Sequence, residues 1–293
     1  MFPPRESDSI ALVISPEELQ YYKREFNLGG QLDLLLEIHR TASLAGKSVL
    51  EIGGSNIPRP FVFDVLKAER WVCVDRVYPQ NRVLWPRQYG SSEVIAVTSE
   101  VQFDSLEKHA ILDGPFEHLP SSFDEQFDAI VSIDAFEHVL RFAAMLDRAH
   151  KALRRGGQLT AIYSPIWPSH FGHHLWGVTD KSGKTYYIDS SPIPRWGHLL
   201  MRPPEMYSYL LDHTDAETAG EIVSQVYHSE NLNRLFVEDY EAYFRNSRFS
   251  GVSLESFVPD VDPPPEVQRE LERLHPGRQQ FSKIGILARC HKA

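Results

Sequence analysis

Residues 48–56, SVLEIGGSN, decide the fold of this chain. The segment begins as an apolar run that only Glu51 interrupts, and it then breaks into Gly53 and Gly54. Buried parallel strands have apolar runs of this kind, and glycine lets a backbone turn sharply and approach a ligand closely. We therefore predict a buried strand that ends beside a ligand-binding loop.

A second apolar run, residues 71–74, ends on Asp75. Residues 61–68, between the two runs, have a helical pattern, so the whole segment is predicted to be a β-α-β unit. The strands of such a unit end at the same edge of a sheet, where an acid accepts hydrogen bonds from ribose hydroxyls. The sequence therefore indicates a ligand that contains a ribose.

The presence of Glu51 distinguishes between two classes of cofactor that such a loop could bind. Dinucleotide-binding loops complete a Gly-x-Gly-x-x-Gly pattern, whose helix N-terminus meets a pyrophosphate. Only Gly53 and Gly54 are present here, and an acid precedes them at the tip of the strand. That acid suits the cationic end of a ligand rather than a diphosphate.

The pattern Glu51-x-Gly53-x-Ser55, followed by Asp75, resembles the first two motifs of the class I S-adenosylmethionine-dependent methyltransferases. The resemblance implies that S-adenosylmethionine is the cofactor. It also implies that Gly53, Gly54 and Ser55 lie against the methionine part, that Glu51 holds the amino group and that Asp75 holds the ribose. The chain departs from the family at Ser55, where a second glycine is usual.

Two later stretches extend the resemblance. Residues 110–120, AILDGPFEHLP, are similar to the third strand of the family and the loop that faces the adenine, which makes Phe116 a candidate adenine contact. Residues 127–139, FDAIVSIDAFEHV, are similar to strand four and the Asp-x-x-Glu-His run that follows it. By this resemblance Ser132 and Asp134 contact the cofactor, and His138 lies beside the methyl donor.

Together these stretches predict an α/β fold with a Rossmann-like, doubly wound, seven-stranded sheet. The sheet is expected to be mostly parallel, with an antiparallel last strand, helices on both faces and an inserted lid after strand five. A helix is predicted to begin near Asp134, to end at residues 154–157 and to precede a strand at residues 158–163; residues 281–290 are predicted to form the last strand. Four parts are expected: an N-terminal helical region (1–44), the S-adenosylmethionine-binding core (45–165), an acceptor lid (166–235) and the C-terminal part of the core (236–293).

The predicted lid is rich in aromatic residues and contains His170, His173 and His174. Residues 166–235 form a segment longer than an ordinary loop between a strand and a helix, so we interpret it as the acceptor-binding part of the protein. The alternative is a packing subdomain whose aromatic side chains fill its own core, as aromatic side chains commonly do.

His138 is the candidate general base, because a neutral imidazole titrates in the range that proton removal from an acceptor needs. A metal site is the alternative, since Asp134, Glu137 and His138 would share one face of a helix. The ubiquinone-pathway and small-RNA methyltransferases, which this stretch resembles, hold a divalent metal in this way. We favour the base without a metal, because Asp134 replaces their first Glu and the histidines of the lid lack a helical frame.

Composition bears on the acceptor and on the compartment. The 293 residues carry a formal net charge of −10, which repels nucleic acid at long range. Two cysteines make no disulfide framework, and no apolar run reaches the length of a membrane span, so a cytoplasmic protein is expected. We predict O-methylation of a small molecule, a sugar or secondary metabolite. The alternatives are methylation of tRNA or protein, and a methyltransferase fold that only binds a partner; the oligomeric state stays open.

Overall fold

The computed structural model describes residues 14–26, 28–53, 57–76 and 94–293. None of the helices in these ranges is long and apolar enough to cross a membrane. The helices are α1 (Pro16–Glu25), α2 (Gln31–Ala42), α3 (Phe142–Ala152), α4 (Gly197–Leu200), α5 (Pro203–Leu210), α6 (Ala216–His228), α7 (Val237–Arg245) and α8 (Pro265–Leu274). The strands are β1 (Ser48–Ile52), β2 (Arg70–Asp75), β3 (Val94–Ala96), β4 (His109–Asp113), β5 (Phe127–Ile133), β6 (Leu153–Tyr163), β7 (Trp176–Thr179), β8 (Thr185–Tyr187), β9 (Ser250–Ser256) and β10 (Ile286–His291).

The main sheet has the strand order β3-β4-β2-β1-β5-β6-β10-β9. Strand β1 pairs in parallel with β2 and β5, and β4 pairs in parallel with β2 and β3. Strand β10 pairs antiparallel with β9. The predicted α/β fold, mostly parallel with an antiparallel last strand, is confirmed. The predicted strand number is too low by one, because the short strand β3 adds an edge beside β4.

The chain divides into two compact units, residues 1–133 with 151–158, and residues 134–150 with 159–293. In the first unit every residue of β1 is buried, as its apolar run predicted. Asp128 fixes the lower end of β1: its carboxylate accepts a hydrogen bond from the Ser48 amide at 2.9 Å and pairs with Arg154 at 2.8 Å. This contact joins the start of β1 to the start of β5.

The segment after β5 differs from the helix that the sequence predicted. Asp134 has φ +48°, a left-handed conformation that a continuous helix does not tolerate. A single 3₁₀ turn, Phe136–His138, follows, and α3 begins only at Phe142. Residues 134, 137 and 138 therefore do not lie along one helical face.

Two further predicted boundaries are wrong. Strand β6 begins at Leu153, so residues 154–157 belong to the strand instead of forming a separate turn before it. Strand β10 begins at Ile286, five residues later than predicted, because residues 281–285 do not pair with β9.

In the second unit, residues 166–235 contain the hairpin β7–β8 and the helices α4, α5 and α6. Their buried side chains form a core together with Leu271 of α8 and Phe281. Trp167, Tyr186 and Trp196 are members of this core. These three aromatic residues therefore pack in a core that the segment shares with residues 271 and 281.

Candidate active site

Glu51 lies at the end of β1 with only 4% of its surface exposed. The indole Nε1 of Trp71 donates a hydrogen bond to its carboxylate at 2.8 Å. Trp71 begins the apolar run of β2, so the pairing of the two strands brings donor and acceptor together. The carboxyl group is thus held in one orientation inside the first unit.

Burial gives Glu51 an unusual charge state. Loss of solvent, and to a smaller extent the negative charge of Asp75, raise the pKa of its carboxyl to about 8, although the Trp71 hydrogen bond opposes both effects. A cationic ligand group beside the carboxyl would reverse the main effect, since an opposite charge favours ionisation. The site can therefore exchange a proton for a cationic group.

The glycine loop begins at Gly53, which has φ +69°. Its amide donates a hydrogen bond to the Val74 carbonyl at 2.9 Å, so the backbone turns over the end of β2. Glycine adopts this conformation without the strain of a Cβ atom. The other predicted loop contacts, Gly54 and Ser55, lie outside the described residues.

Asp75 is the last residue of β2 and lies in register with Asp113, the last residue of β4. Its electrostatic influence on Glu51 means that the two acids are near each other, as the β-α-β prediction required. Phe116 is buried in a 3₁₀ turn three residues after Asp113. Ser132 is also buried, and its hydroxyl donates to the Ile52 carbonyl at 2.8 Å, which ties β5 to β1.

In the second unit the turn Phe136–His138 is fastened to residues 231–235. The Asn233 amide donates to the Glu137 carbonyl at 2.9 Å, and its side-chain Nδ2 donates to the Phe136 carbonyl at 2.8 Å. The Tyr240 hydroxyl donates to Asn233 Oδ1 at 3.1 Å, which orients that amide. No sequence signal pointed to Asn233.

His138 is exposed, and its Nδ1 contacts the Asn231 carbonyl. Since a carbonyl only accepts, Nδ1 carries the proton and Nε2 of the neutral ring is left as the acceptor. Partial desolvation lowers the pKa of His138, while the Asn231 contact opposes the change. Neutral imidazole with a free Nε2 is the form that a general base or a metal ligand requires.

His174 stands next to His138, with ring centroids 5.2 Å apart and nearly perpendicular planes. Its Nδ1 lies 3.2 Å from the Gly172 carbonyl, so its Nε2 is again the acceptor. Burial, and to a smaller extent His138, lower the pKa of His174 to about 4. The other two histidines of that sequence cluster, His170 and His173, are buried around His198 and Trp196 instead.

Glu137 completes the group, with 1% of its surface exposed. Burial and the charge of Asp134 raise its pKa well above the usual value, and the backbone amides of Glu137 and Ser164 only moderate the effect. Asp134 keeps an exposed surface, yet desolvation by the surrounding protein raises its pKa to about 6. Donor atoms of Glu137, His138 and His174 lie within 4.8 Å of one another.

Residues 84–161 match the family model of a methyltransferase domain. Among curated proteins, no sequence matches this chain. The chain is similar to the crystal structure of an S-adenosylmethionine-dependent methyltransferase from Mesorhizobium loti, with 14% identity over 87% of this chain and 96% of that one, at a TM-score of 0.45. It is also similar to phosphoethanolamine N-methyltransferase 2 from Haemonchus contortus in complex with S-adenosyl-L-methionine, with 13% identity over 95% of this chain and 57% of that one, at a TM-score of 0.49.

The residues that match the methyltransferase domain include the parallel strands β3, β4 and β5 of the main sheet. The α/β sheet is Rossmann-like, as the motifs predicted. The match to a methyltransferase domain covers residues 84–161 and agrees with the resemblance of the motifs to the S-adenosylmethionine-dependent methyltransferases.

Proposed function

We propose that this protein is an S-adenosylmethionine-dependent methyltransferase that methylates a hydroxyl group of a small polar molecule, a sugar or secondary metabolite, and that His138 takes part in removing the hydroxyl proton. One observation carries the proposal: the contact of His138 Nδ1 with the Asn231 carbonyl leaves Nε2 as an acceptor on an exposed side chain. A hydroxyl is a poor nucleophile until a neighbouring group accepts its proton, whereas an amine acceptor needs less help. The orientation of the ring therefore supports oxygen as the acceptor atom.

The proposed cofactor contacts are the acids of the first unit. Glu51 is buried beside Asp75, which suits a ligand with an ammonium group at one end and a ribose further on. We assign the amino group to Glu51 and the ribose hydroxyls to Asp75. Gly53 gives the backbone a close approach to the methionine part.

An exposed aromatic pair in the second unit supports an acceptor with a sugar or planar ring. Trp176 has 69% of its surface exposed and meets Tyr187 edge to face at 5.1 Å. Gln225 of α6 holds its backbone through two hydrogen bonds, of 2.7 and 3.1 Å. A large ring held in place in this way presents a preformed apolar face to a ligand.

The test is a screen of hydroxylated small molecules with the purified protein and S-adenosylmethionine, followed by mass spectrometry for a gain of one methyl group. We expect His138→Ala to slow turnover by ~10²–10⁴-fold while cofactor binding is preserved. Exposed His228, outside the cluster, supplies the matched control His228→Ala, which should leave turnover unchanged. Turnover of His138→Ala within twofold of the wild type would refute the role of His138, and a methyl group found only on tRNA or protein would refute the small-molecule acceptor.

A further inference from the structure

The carboxyl group of Glu137 is buried without a hydrogen bond of good geometry. Both of its oxygens are inaccessible to solvent, and only the backbone amides of Glu137 and Ser164, among the described residues, are near enough to favour its charge. Tyr163 and Tyr240, which are also buried, lie close enough to be affected by its charge. An unpaired buried carboxyl group is costly, and in native proteins such a group commonly marks an ion or a catalytic site.

The two histidines beside Glu137 are oriented alike. Nδ1 of His138 faces the Asn231 carbonyl and Nδ1 of His174 faces the Gly172 carbonyl. Histidines that bind metals are held in this manner, with one ring nitrogen on a backbone carbonyl and the other on the ion. Both Nε2 atoms are therefore prepared to act as ligands.

The distances allow one ion to reach all three side chains. Their donor atoms lie within 4.8 Å of one another. Two ligand atoms that are each ~2.1 Å from an ion are at most ~4.2 Å apart. A shift of roughly 1 Å, within reach of side-chain rotation, would bring the three onto one centre.

We infer that Glu137, His138 and His174 bind a divalent transition-metal ion. Two imidazole nitrogens and one carboxylate favour ions from manganese to zinc over magnesium or calcium, which prefer oxygen ligands. The positive charge would compensate the buried carboxylate of Glu137 and the neighbouring charge of Asp134. Three protein ligands leave coordination positions open for a hydroxyl and for water.

The role of this ion in catalysis rests on the proposed function, although the binding site itself does not. A hydroxyl bound to the ion loses its proton to water more readily. Its oxygen then forms a bond to the methyl carbon as the carbon–sulfur bond breaks, and the sulfonium becomes a neutral thioether. His138 would act through the ion and not as a free base.

The test uses the full chain after treatment with a chelator. Titration with Co²⁺, followed by calorimetry and visible absorption, should show one ion per chain with nitrogen ligands. Glu137→Gln and His174→Asn should each weaken binding by at least ~10–100-fold, the loss seen even for residues outside the metal shell. The control His228→Asn should bind Co²⁺ like the wild type.

Two outcomes would overturn the inference: no Co²⁺ binding by the wild type, or unchanged binding by variants whose melting curves show them folded. His138→Asn provides a ligand variant on an exposed residue, in case the buried substitutions disturb folding. If the wild type binds no Co²⁺ but His138→Ala still stops methyl transfer, the metal site fails and the proposed function stands. If Co²⁺ binds at these residues but no hydroxyl compound is methylated, the proposed function fails instead.

Discussion

The affinity for S-adenosylmethionine should rise steeply with pH between 6 and 7, because of Glu51. Burial and, to a smaller extent, the charge of Asp75 raise the pKa of this carboxyl to about 8. At pH 7 only about one molecule in eleven then has Glu51 ionised, and at pH 6 only about one in a hundred. In the proposed assignment, the ammonium group of the ligand pairs with the ionised form of Glu51, so the carboxyl must lose its proton when the cofactor binds.

The size of the effect follows from this population. An affinity is reduced by the fraction of protein in the competent state, so it should increase about ninefold from pH 6 to pH 7. About 0.9 proton should be released per ligand bound at pH 7. The interval above pH 7 is less diagnostic, since α-amino groups begin to lose their own proton near pH ~8.

Isothermal titration calorimetry at both pH values, in buffers of different ionisation enthalpy, measures the affinity and the proton release together. Glu51→Gln cannot ionise, so it should bind more weakly at pH 7, with little pH dependence and no proton release from this site. Glu107→Gln, a change of an exposed acid in the same unit, should behave like the wild type. An affinity of the wild type that changes less than twofold between pH 6 and 7, with the same heat in every buffer, would refute the assigned role of Glu51.

Three further predictions concern the ribose contact, the loop of His174 and the aromatic pair. Asp75→Ala should weaken S-adenosylmethionine binding about tenfold or more, because charge-assisted hydrogen bonds contribute ~1.5–3 kcal/mol each. Unchanged affinity in calorimetry would contradict the assignment of Asp75 to the ribose. Gly172→Ala should lower the melting temperature, because a Cβ atom there would lie 2.1 Å from the Trp167 carbonyl oxygen. The control Gly220→Ala in α6, where the nearest neighbour is 4.0 Å away, should be tolerated, and equal melting temperatures of the two variants would show that the loop can move to accommodate the Cβ atom. Trp176→Ala should raise KM for the acceptor while cofactor affinity stays within twofold of the wild type; a loss of both would indicate a structural role.

The strand ends of the first unit could be predicted because their signals are local. An apolar run followed by glycine, or by an acid, identifies the end of a buried parallel strand, and β1 and β2 end at the predicted residues 52 and 75. Parallel pairing then brings Glu51 and Asp75 together without further information. The short strand β3 lacks such a signal, because three residues are too few to show a period.

The arrangement around His138 was harder to predict because it depends on distant segments. The spacing of residues 134, 137 and 138 fits a helix, but the left-handed backbone at Asp134 replaces that helix with a single turn. His174 could not be distinguished from His170 and His173 by sequence, since only folding shows which ring lies beside His138. The tautomer of His138 is set by a backbone carbonyl 93 residues away, which no side-chain pattern encodes.

That carbonyl belongs to Asn231, near the end of the segment 166–235, and Asn233 two residues later holds the same turn. An engineer who exchanged this segment for one from another methyltransferase, to change the acceptor, would also replace the group that decides which nitrogen of His138 carries the proton. A graft that stops at the end of α6, residue 228, would keep Asn231 and Asn233 in place, but it would have to retain His174, which lies beside His138. The boundary of such a graft would therefore determine whether a chimaera keeps the contact that orients His138 when it gains a new specificity.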